Sequence, residues 1–195
     1  MNAYSNDSVV ADMTRKIVDG GARVFQIFQR GSEADHIRFL LDEFNPPSGT
    51  VLDIGCGVGE VARVMKEMRS DLDFILLNIS QAQLDMCPPF RKICADAADI
   101  PLPDESVDAV MACYVLGHLD HDTALREMRR VIRPGGVLFV ADMSGGEIPD
   151  LDYTAYDIGG YCPKNMNTRE FDKFMPDFAT RYPHIRPSIM REVKA

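Results

Sequence analysis

The residues best placed to do chemistry are Asp53-Ile54-Gly55-Cys56-Gly57-Val58-Gly59, which join a short apolar run to an amphipathic one. Glycines between a strand and a helix let the backbone turn sharply, and they let a ligand approach where a Cβ would stand in the way. A dinucleotide fingerprint needs G-x-G-x-x-G, with the helix N-terminus turned to a pyrophosphate. Here Glu60 holds the sixth position in place of glycine, and the acid Asp53 stands at the strand end. A carboxylate there repels a pyrophosphate but suits a cationic ligand. A second group, His118, Asp120, His121 and Asp122, has metal-ligand side chains. Its simpler reading is a strand-end loop whose aspartates cap a helix beginning near Thr123, so no metal site is expected. The five cysteines, Cys56, Cys87, Cys94, Cys113 and Cys162, are odd in number and lack C-x-x-C spacing. That disfavours both a disulfide framework and zinc, and fits reduced thiols.

The elements that must position these residues follow from periodicity. In the first 45 residues a partial stripe (Val10, Met13, Ile17) and a cluster (Val24, Phe25, Ile27, Phe28) precede a cleaner helix. In that helix Ile37, Leu40, Leu41 and Phe44 recur at i, i+3, i+4 and i+7, and Pro46-Pro47-Ser48-Gly49 ends it. Strands are then expected at Val51–Ile54, Phe74–Leu77, Lys92–Ala95, Val107–Cys113 and Val137–Ala141, the last opened by a Pro134-Gly135-Gly136 turn. Between them come a helix face at Val61, Val64, Met65 and Met68, a short helix Ser80–Met86 and a helix Leu125–Ile132. Such alternation calls for an α/β fold: a Rossmann-like, doubly wound, mostly parallel sheet with helices on both faces. Ligands then bind at the carboxyl ends of the strands. Downstream, Ile148–Cys162 with Tyr153, Tyr156 and Tyr161 reads as a long loop. Asn167 and Glu170 form a candidate capping box for a helix carrying Phe171, Phe174, Met175 and Phe178. Few residues remain after Phe178, and Pro183 and Pro187 interrupt them.

With 195 residues, 46% of them hydrophobic, the chain suits one α/β domain with a modest extension and excludes global disorder. No apolar run approaches the roughly 18 residues of a membrane span. The polar start Met1–Asp7 lacks the order of a secretory signal, and the expected location is the cytoplasm. A net charge of −9 repels phosphate backbones, so a nucleic-acid partner would need a local basic patch. The candidate patch, Arg126, Arg129, Arg130 and Arg133, reads more simply as a solvated helix face with cations near its C-terminal end. A small-molecule partner is expected, with no nucleic acid and no membrane.

Val51-Leu52-Asp53-Ile54-Gly55-Cys56-Gly57-Val58-Gly59 matches V-L-D-x-G-C-G-x-G throughout. Three further stretches match in order: Cys94-Ala95-Asp96-Ala97 through Asp104, Val107-Asp108-Ala109-Val110 through Leu119, and Leu125 through Leu138. Over about residues 35 to 145 the chain thus resembles the class I S-adenosylmethionine-dependent methyltransferases, above all the ubiquinone and menaquinone biosynthesis (type 11) group. The resemblance implies S-adenosylmethionine as cofactor and S-adenosylhomocysteine as product, with in-line methyl transfer to a small-molecule acceptor. It implies Asp53 near the methionine ammonium, Gly55 and Gly57 making room for the cofactor, and Cys56 and Gly59 completing the loop. It puts Asn78 and Ile79 at the second strand's end, Asp96 with Ala97 at the adenine amino group, and Cys113 and Tyr114 beside the methionine moiety and the acceptor. His118 has two readings: a general base near the reaction centre, or a histidine that bonds backbone to hold its loop. The implied organisation is a helical cap (1–45), a cofactor-binding core (46–145) and an acceptor-side loop, helix and incomplete sheet edge (146–195).

Two departures stand out. The family carries an acid bonded to both ribose hydroxyls where this chain has Asn78, and a neutral amide predicts weaker cofactor affinity. The short C-terminal stretch predicts that the sheet stops early or lacks its last strand, and an uncovered edge would invite homodimerisation. Asn45-Pro46-Pro47-Ser48 and Cys87-Pro88-Pro89-Phe90 look like the N/D-P-P-[FY] motif of amine methyltransferases. They fall away from the fourth strand and read as proline turns. Rival functions are an RNA or protein methyltransferase, a cofactor-binding module without transfer, and another reaction of the same cofactor.

Overall fold

The computed structural model describes residues 32–144, 169–170 and 186–195. The stripe Val10, Met13 and Ile17, the cluster Val24 to Phe28, the loop with Tyr153, Tyr156 and Tyr161, and the apolar face Phe171 to Phe178 lie outside the described residues.

Ser32 starts helix α1 (Glu33–Phe44): its hydroxyl accepts from Asp35 N while Asp35 Oδ2 accepts from Ser32 N at 3.0 Å, a reciprocal cap. Ile37, Leu40, Leu41 and Phe44 are buried, as their spacing requires, and Asn45 ends the helix in the left-handed region (φ 40°). The chain continues through β1 (Gly49–Ile54), α2 (Glu60–Met68), β2 (Leu72–Asn78), α3 (Gln81–Met86), β3 (Arg91–Cys94), β4 (Val107–Cys113), α4 (His121–Val131) and β5 (Ile132–Ser144). Strand alternation divides the core in two. Val51, Phe74, Leu76, Met111 and Phe139 face α1 and α2, whereas Leu52, Ile54, Ile75, Val110 and Val140 face α4. Both faces of the sheet are therefore covered, which is what period-two apolar runs on a parallel sheet demand. α1, inside the 1–45 segment, supplies part of that core.

The sheet order is β3-β2-β1-β4-β5-β7-β6, and β1 to β5 are parallel. The strand order reverses between β1 and β4, which makes their carboxyl ends the crevice of the fold.

The C-terminal expectation is corrected. The last strand is present: β7 (Arg186–Val193) runs antiparallel along β5 from Ser144↔Arg186 to Val137↔Val193, and β6 (Arg169–Glu170) pairs with its outer side. Pro187 sits at the second position of β7, near the strand end where a missing N–H is tolerated. The β5 edge on which homodimerisation rested is thus covered. Arg169 and Glu170 are extended, so the capping box at Asn167 and Glu170 starts no helix there. β5 also begins earlier than expected and runs through Pro134-Gly135-Gly136, with Gly135 N–H donating to Lys194 O and Lys194 N–H to Gly136 O. A Cβ at Gly136 would meet Asp108 O at 2.5 Å, so glycine is required for β4 and β5 to approach.

Candidate active site

β1 delivers its last residues into the loop at the strand-order reversal. Gly55, Gly57 and Gly59 all have positive φ (65°, 57° and 75°). Gly55 N–H and Cys56 N–H both donate to Leu77 O (2.8 and 3.2 Å), tying the loop to the end of β2. A Cβ at Gly57 would meet nothing within 4 Å, so the loop opens onto free space there. At Gly55 a Cβ would run into the Val115 side chain, so that glycine admits the loop after β4. Glu60, at the start of α2, is buried and held by Arg63 at 2.6 Å.

Asp53 is 3% exposed, and its Oδ2 has no hydrogen-bond partner among the described residues. Burial, with a smaller contribution from Cys87, pushes its carboxyl well above the ordinary range. A buried carboxylate oxygen without a partner is costly, and a cation beside it would remove the cost. At the end of β2, Asn78 is buried: its Oδ1 accepts from Ser80 N–H (3.1 Å) and its Nδ2 donates to Gln83 Oε1 (2.8 Å). Ile79 next to it is 37% exposed. Beyond β3, Asp96 is exposed and its Oδ1 accepts from Ala98 N–H (2.9 Å), while Ala97 is buried.

At the end of β4, Cys113 is half-buried; burial and the charges of Asp53 and Asp142 push its thiol well up. Tyr114 adopts φ 59°, its N–H donates to Ala141 O (2.7 Å), and its hydroxyl lies 2.8 Å from His36 Nε2. Asp142, buried at the end of β5, accepts from Leu116 N–H at 2.7 Å and fixes the loop after β4. His118 falls in the short turn Leu116–His118, at the carboxyl end of β4. The named site residues therefore all stand at or just beyond the carboxyl ends of β1 to β4. Sequence reasoning missed His36, Gln83, Cys87 and Asp142. Asp142 had a signal, an acid at the end of the apolar run Val137–Ala141, whereas His36 had none apart from its place in an amphipathic helix.

Among the described residues no three His, Cys, Asp or Glu side chains converge as metal ligands would, and no helix is long and apolar enough to cross a membrane. A cavity of about 520 Å³ lies at the opposite end of the sheet, with exposed Asp73 and Arg91 over Phe74, Ile75 and Leu102, far from these groups.

A sheet in the order 3-2-1-4-5-7-6 with a glycine loop after β1 is the architecture of class I S-adenosylmethionine-dependent methyltransferases. Residues 52–140 match the methyltransferase domain family. The ubiquinone/menaquinone biosynthesis C-methyltransferase UbiE of Hahella chejuensis is 33% identical over 134 residues, covering 62% of this chain and 53% of that protein. A malonyl-[acyl-carrier protein] O-methyltransferase of Alcanivorax borkumensis is 29% identical, covering 54% of this chain and 38% of the relative. The chain thus spans about half or less of the length of these relatives. Among solved structures, the [4+2]-cyclase SpnF superposes with a TM-score of 0.74 at 19% identity, over 95% of this chain and 93% of that one, a likeness of fold.

Proposed function

We propose that the protein is an S-adenosylmethionine-dependent methyltransferase that transfers methyl in line to a small-molecule acceptor. The observation that carries this is Asp53: a buried carboxylate oxygen without a partner among the described residues, beneath a glycine loop that opens at Gly57. The donor set fits the cofactor. Asp53 offsets the ammonium charge, the amides of Asn78 and Gln83 face the ribose, and Asp96 accepts from the adenine amino group. Gly55, Cys56, Gly57 and Gly59 supply backbone, Ile79 and Ala97 apolar surface, and Cys113 flanks the methionine moiety. Bound there, the cofactor supplies a methyl group on a sulfonium, already an excellent leaving group. The chain's own task is then to hold the acceptor in line and exclude water. Tyr114 and His118 are proposed on the acceptor side, His118 as the general base.

A small acceptor is favoured over a nucleic acid because three of the four arginines of the candidate basic patch, Arg129 and Arg130 in α4 and Arg133 in β5, are paired within the chain. Arg129 pairs with Glu192 (2.5 Å), Arg130 with Glu127 and Asp104 (2.7 Å each), and Arg133 with Asp108 (2.5 Å). The cytoplasm is proposed as its location, supported by Cys56, Cys87, Cys94 and Cys113, all free thiols. The test is incubation with methyl-labelled S-adenosylmethionine in a small-molecule extract, followed by mass spectrometry. A labelled metabolite heavier by one CH₂ is expected; label found only in macromolecules overturns the substrate class.

A further inference from the structure

The proline turn Cys87-Pro88-Pro89-Phe90 abuts the glycine loop. Cys87 caps the end of α3, where its N–H donates to Leu84 O at 3.1 Å, and the two prolines that follow stiffen the backbone. A Cβ at Gly59 would meet Pro88 Cδ at 3.0 Å and Cys87 Sγ at 3.3 Å, so turn and loop are in contact. Two buried thiols converge across that contact on one carbonyl: Cys87 Sγ lies 3.4 Å and Cys56 Sγ 3.7 Å from Gly57 O. Asn78 Nδ2 reaches the same oxygen at 3.5 Å. Donors from the loop, from the end of α3 and from the end of β2 thus fix the carbonyl of the very residue at which the loop opens.

The thiols also bond each other. The Cys56 S–H, aided by the Lys92 charge, draws the Cys87 thiol below its ordinary value against burial, while the same bond and burial push the Cys56 thiol up. The thiolate is the nucleophilic form of cysteine, so Cys87 is the attacking sulfur and Cys56 the resolving one. At Gly57 a Cβ would meet nothing within 4 Å among the described residues, so a molecule as small as hydrogen peroxide can approach beside the pair.

We propose that Cys56 and Cys87 form a peroxide-sensitive dithiol whose oxidation to a disulfide releases the Gly57 carbonyl and weakens cofactor binding. The bond itself stands apart from the methyltransferase reading; its consequence for binding rests on that reading. The Cys87 thiolate attacks one oxygen of hydrogen peroxide, an S–O bond forms, the O–O bond breaks and hydroxide leaves. The Cys56 sulfur then attacks the sulfenic sulfur, the S–S bond forms and the S–O bond breaks. Two thiols are oxidised and one peroxide is reduced to two waters, which carry away both thiol hydrogens. A disulfide sulfur has no hydrogen to donate, so Gly57 O keeps only Asn78 of its three donors while the new bond draws the loop toward α3.

The test treats the full chain with hydrogen peroxide, blocks the remaining thiols with iodoacetamide and maps tryptic peptides without reduction. S-adenosylhomocysteine affinity is measured by calorimetry before treatment, after it, and after dithiothreitol. Expected are a Cys56–Cys87 linked peptide lighter by two hydrogens and an affinity about tenfold weaker, restored by dithiothreitol. In Cys87→Ser, treated and untreated samples should agree within about twofold, and Cys94→Ser, which lacks the exposed thiol, should stay as sensitive as the parent. Cys56 and Cys87 both alkylated at a peroxide dose that oxidises Cys94 overturns the inference. So does a linked peptide with unchanged affinity, or Cys87→Ser losing as much affinity as the parent. Should Cys87→Ser fail to fold, Cys87→Ala takes its place and the parent's peptide map decides the matter. An untreated parent that binds no S-adenosylhomocysteine fails differently: it overturns the methyltransferase reading, while the linked peptide still decides the dithiol.

Discussion

At the amino ends of the strands Asp108 accepts from Thr50 N–H at 2.7 Å and from Arg133 at 2.5 Å. Burial raises its carboxyl, but those two donors outweigh burial and hold it below the usual carboxylate range. Nearby, Arg130 bonds Ile100 O and Leu102 O (2.8 Å each) as well as Glu127 and Asp104. At the carboxyl ends the groups are treated in the opposite way: Asp53 is buried with one oxygen unsatisfied among the described residues, and Tyr114 is held at positive φ. One end contributes stability through satisfied polar groups, and the other keeps groups in states that a ligand can relieve. Acids at the two ends should therefore respond to substitution with opposite signs.

The largest effect is expected at Asp53. In Asp53→Asn, affinity for S-adenosylhomocysteine should fall about 10- to 100-fold by calorimetry, the range for a hydrogen bond to a charged group. Ligand-free stability should rise by about 1 kcal/mol, or roughly 2–4 °C in the thermal midpoint. A folded-state carboxyl raised by burial favours the folded protein at low pH, and that contribution fades as pH rises from the unfolded value through the folded one. A fall in midpoint would break the contrast between the two ends. Next is pH. While Asp53 keeps its proton in the free protein, the ligand must expel it, so affinity should climb by up to about tenfold per pH unit and level off above the folded value. Calorimetry in buffers of different ionisation enthalpy should detect proton release; a flat profile removes Asp53 from the site.

Asp108→Ala sharpens the other side. It should cost about 2 kcal/mol, or roughly 4–8 °C, and leave S-adenosylhomocysteine affinity within about twofold. The lowered carboxyl of Asp108 stabilises above its unfolded value, so the gap between parent and variant should close as pH falls through the folded value. The smallest effect is expected at Asn78. Asn78→Asp should improve affinity by about 1 kcal/mol, or about fivefold, if Gln83 turns its amide to donate to the new carboxylate. Unchanged or poorer affinity would mean that the amide pair with Gln83 is already the better ribose partner.

The glycine loop, β4 with its exact bounds and the buried face of α1 were legible because each is encoded locally: by positive-φ glycines, by an unbroken apolar run, and by i, i+3, i+4 spacing. β7 was not, because Pro187 reads locally as a strand breaker and only pairing with the whole of β5 makes the segment extended. Arg169–Glu170 read as the start of a helix for a similar reason, since a capping signal was overridden by an edge pairing. The Asp53 side of the site was legible from its motif. The His36–Tyr114 contact joins residues 78 positions apart, and neither residue's neighbours announce the other.

β7 lies between β5 and β6 and is made after every other strand of the described sheet. A nascent chain that has emerged only as far as Ser144 carries the parallel strands β1 to β5, while residues 186–193, which pair with β5 in the finished fold, are still to be synthesised. Arg191, which donates to Phe44 O at 2.8 Å, secures the end of α1 at the same moment. Ribosome-stalled chains ending before Arg186 should accordingly be prone to pair through β5 and to need chaperone protection, a vulnerability that vanishes once β7 clears the exit tunnel.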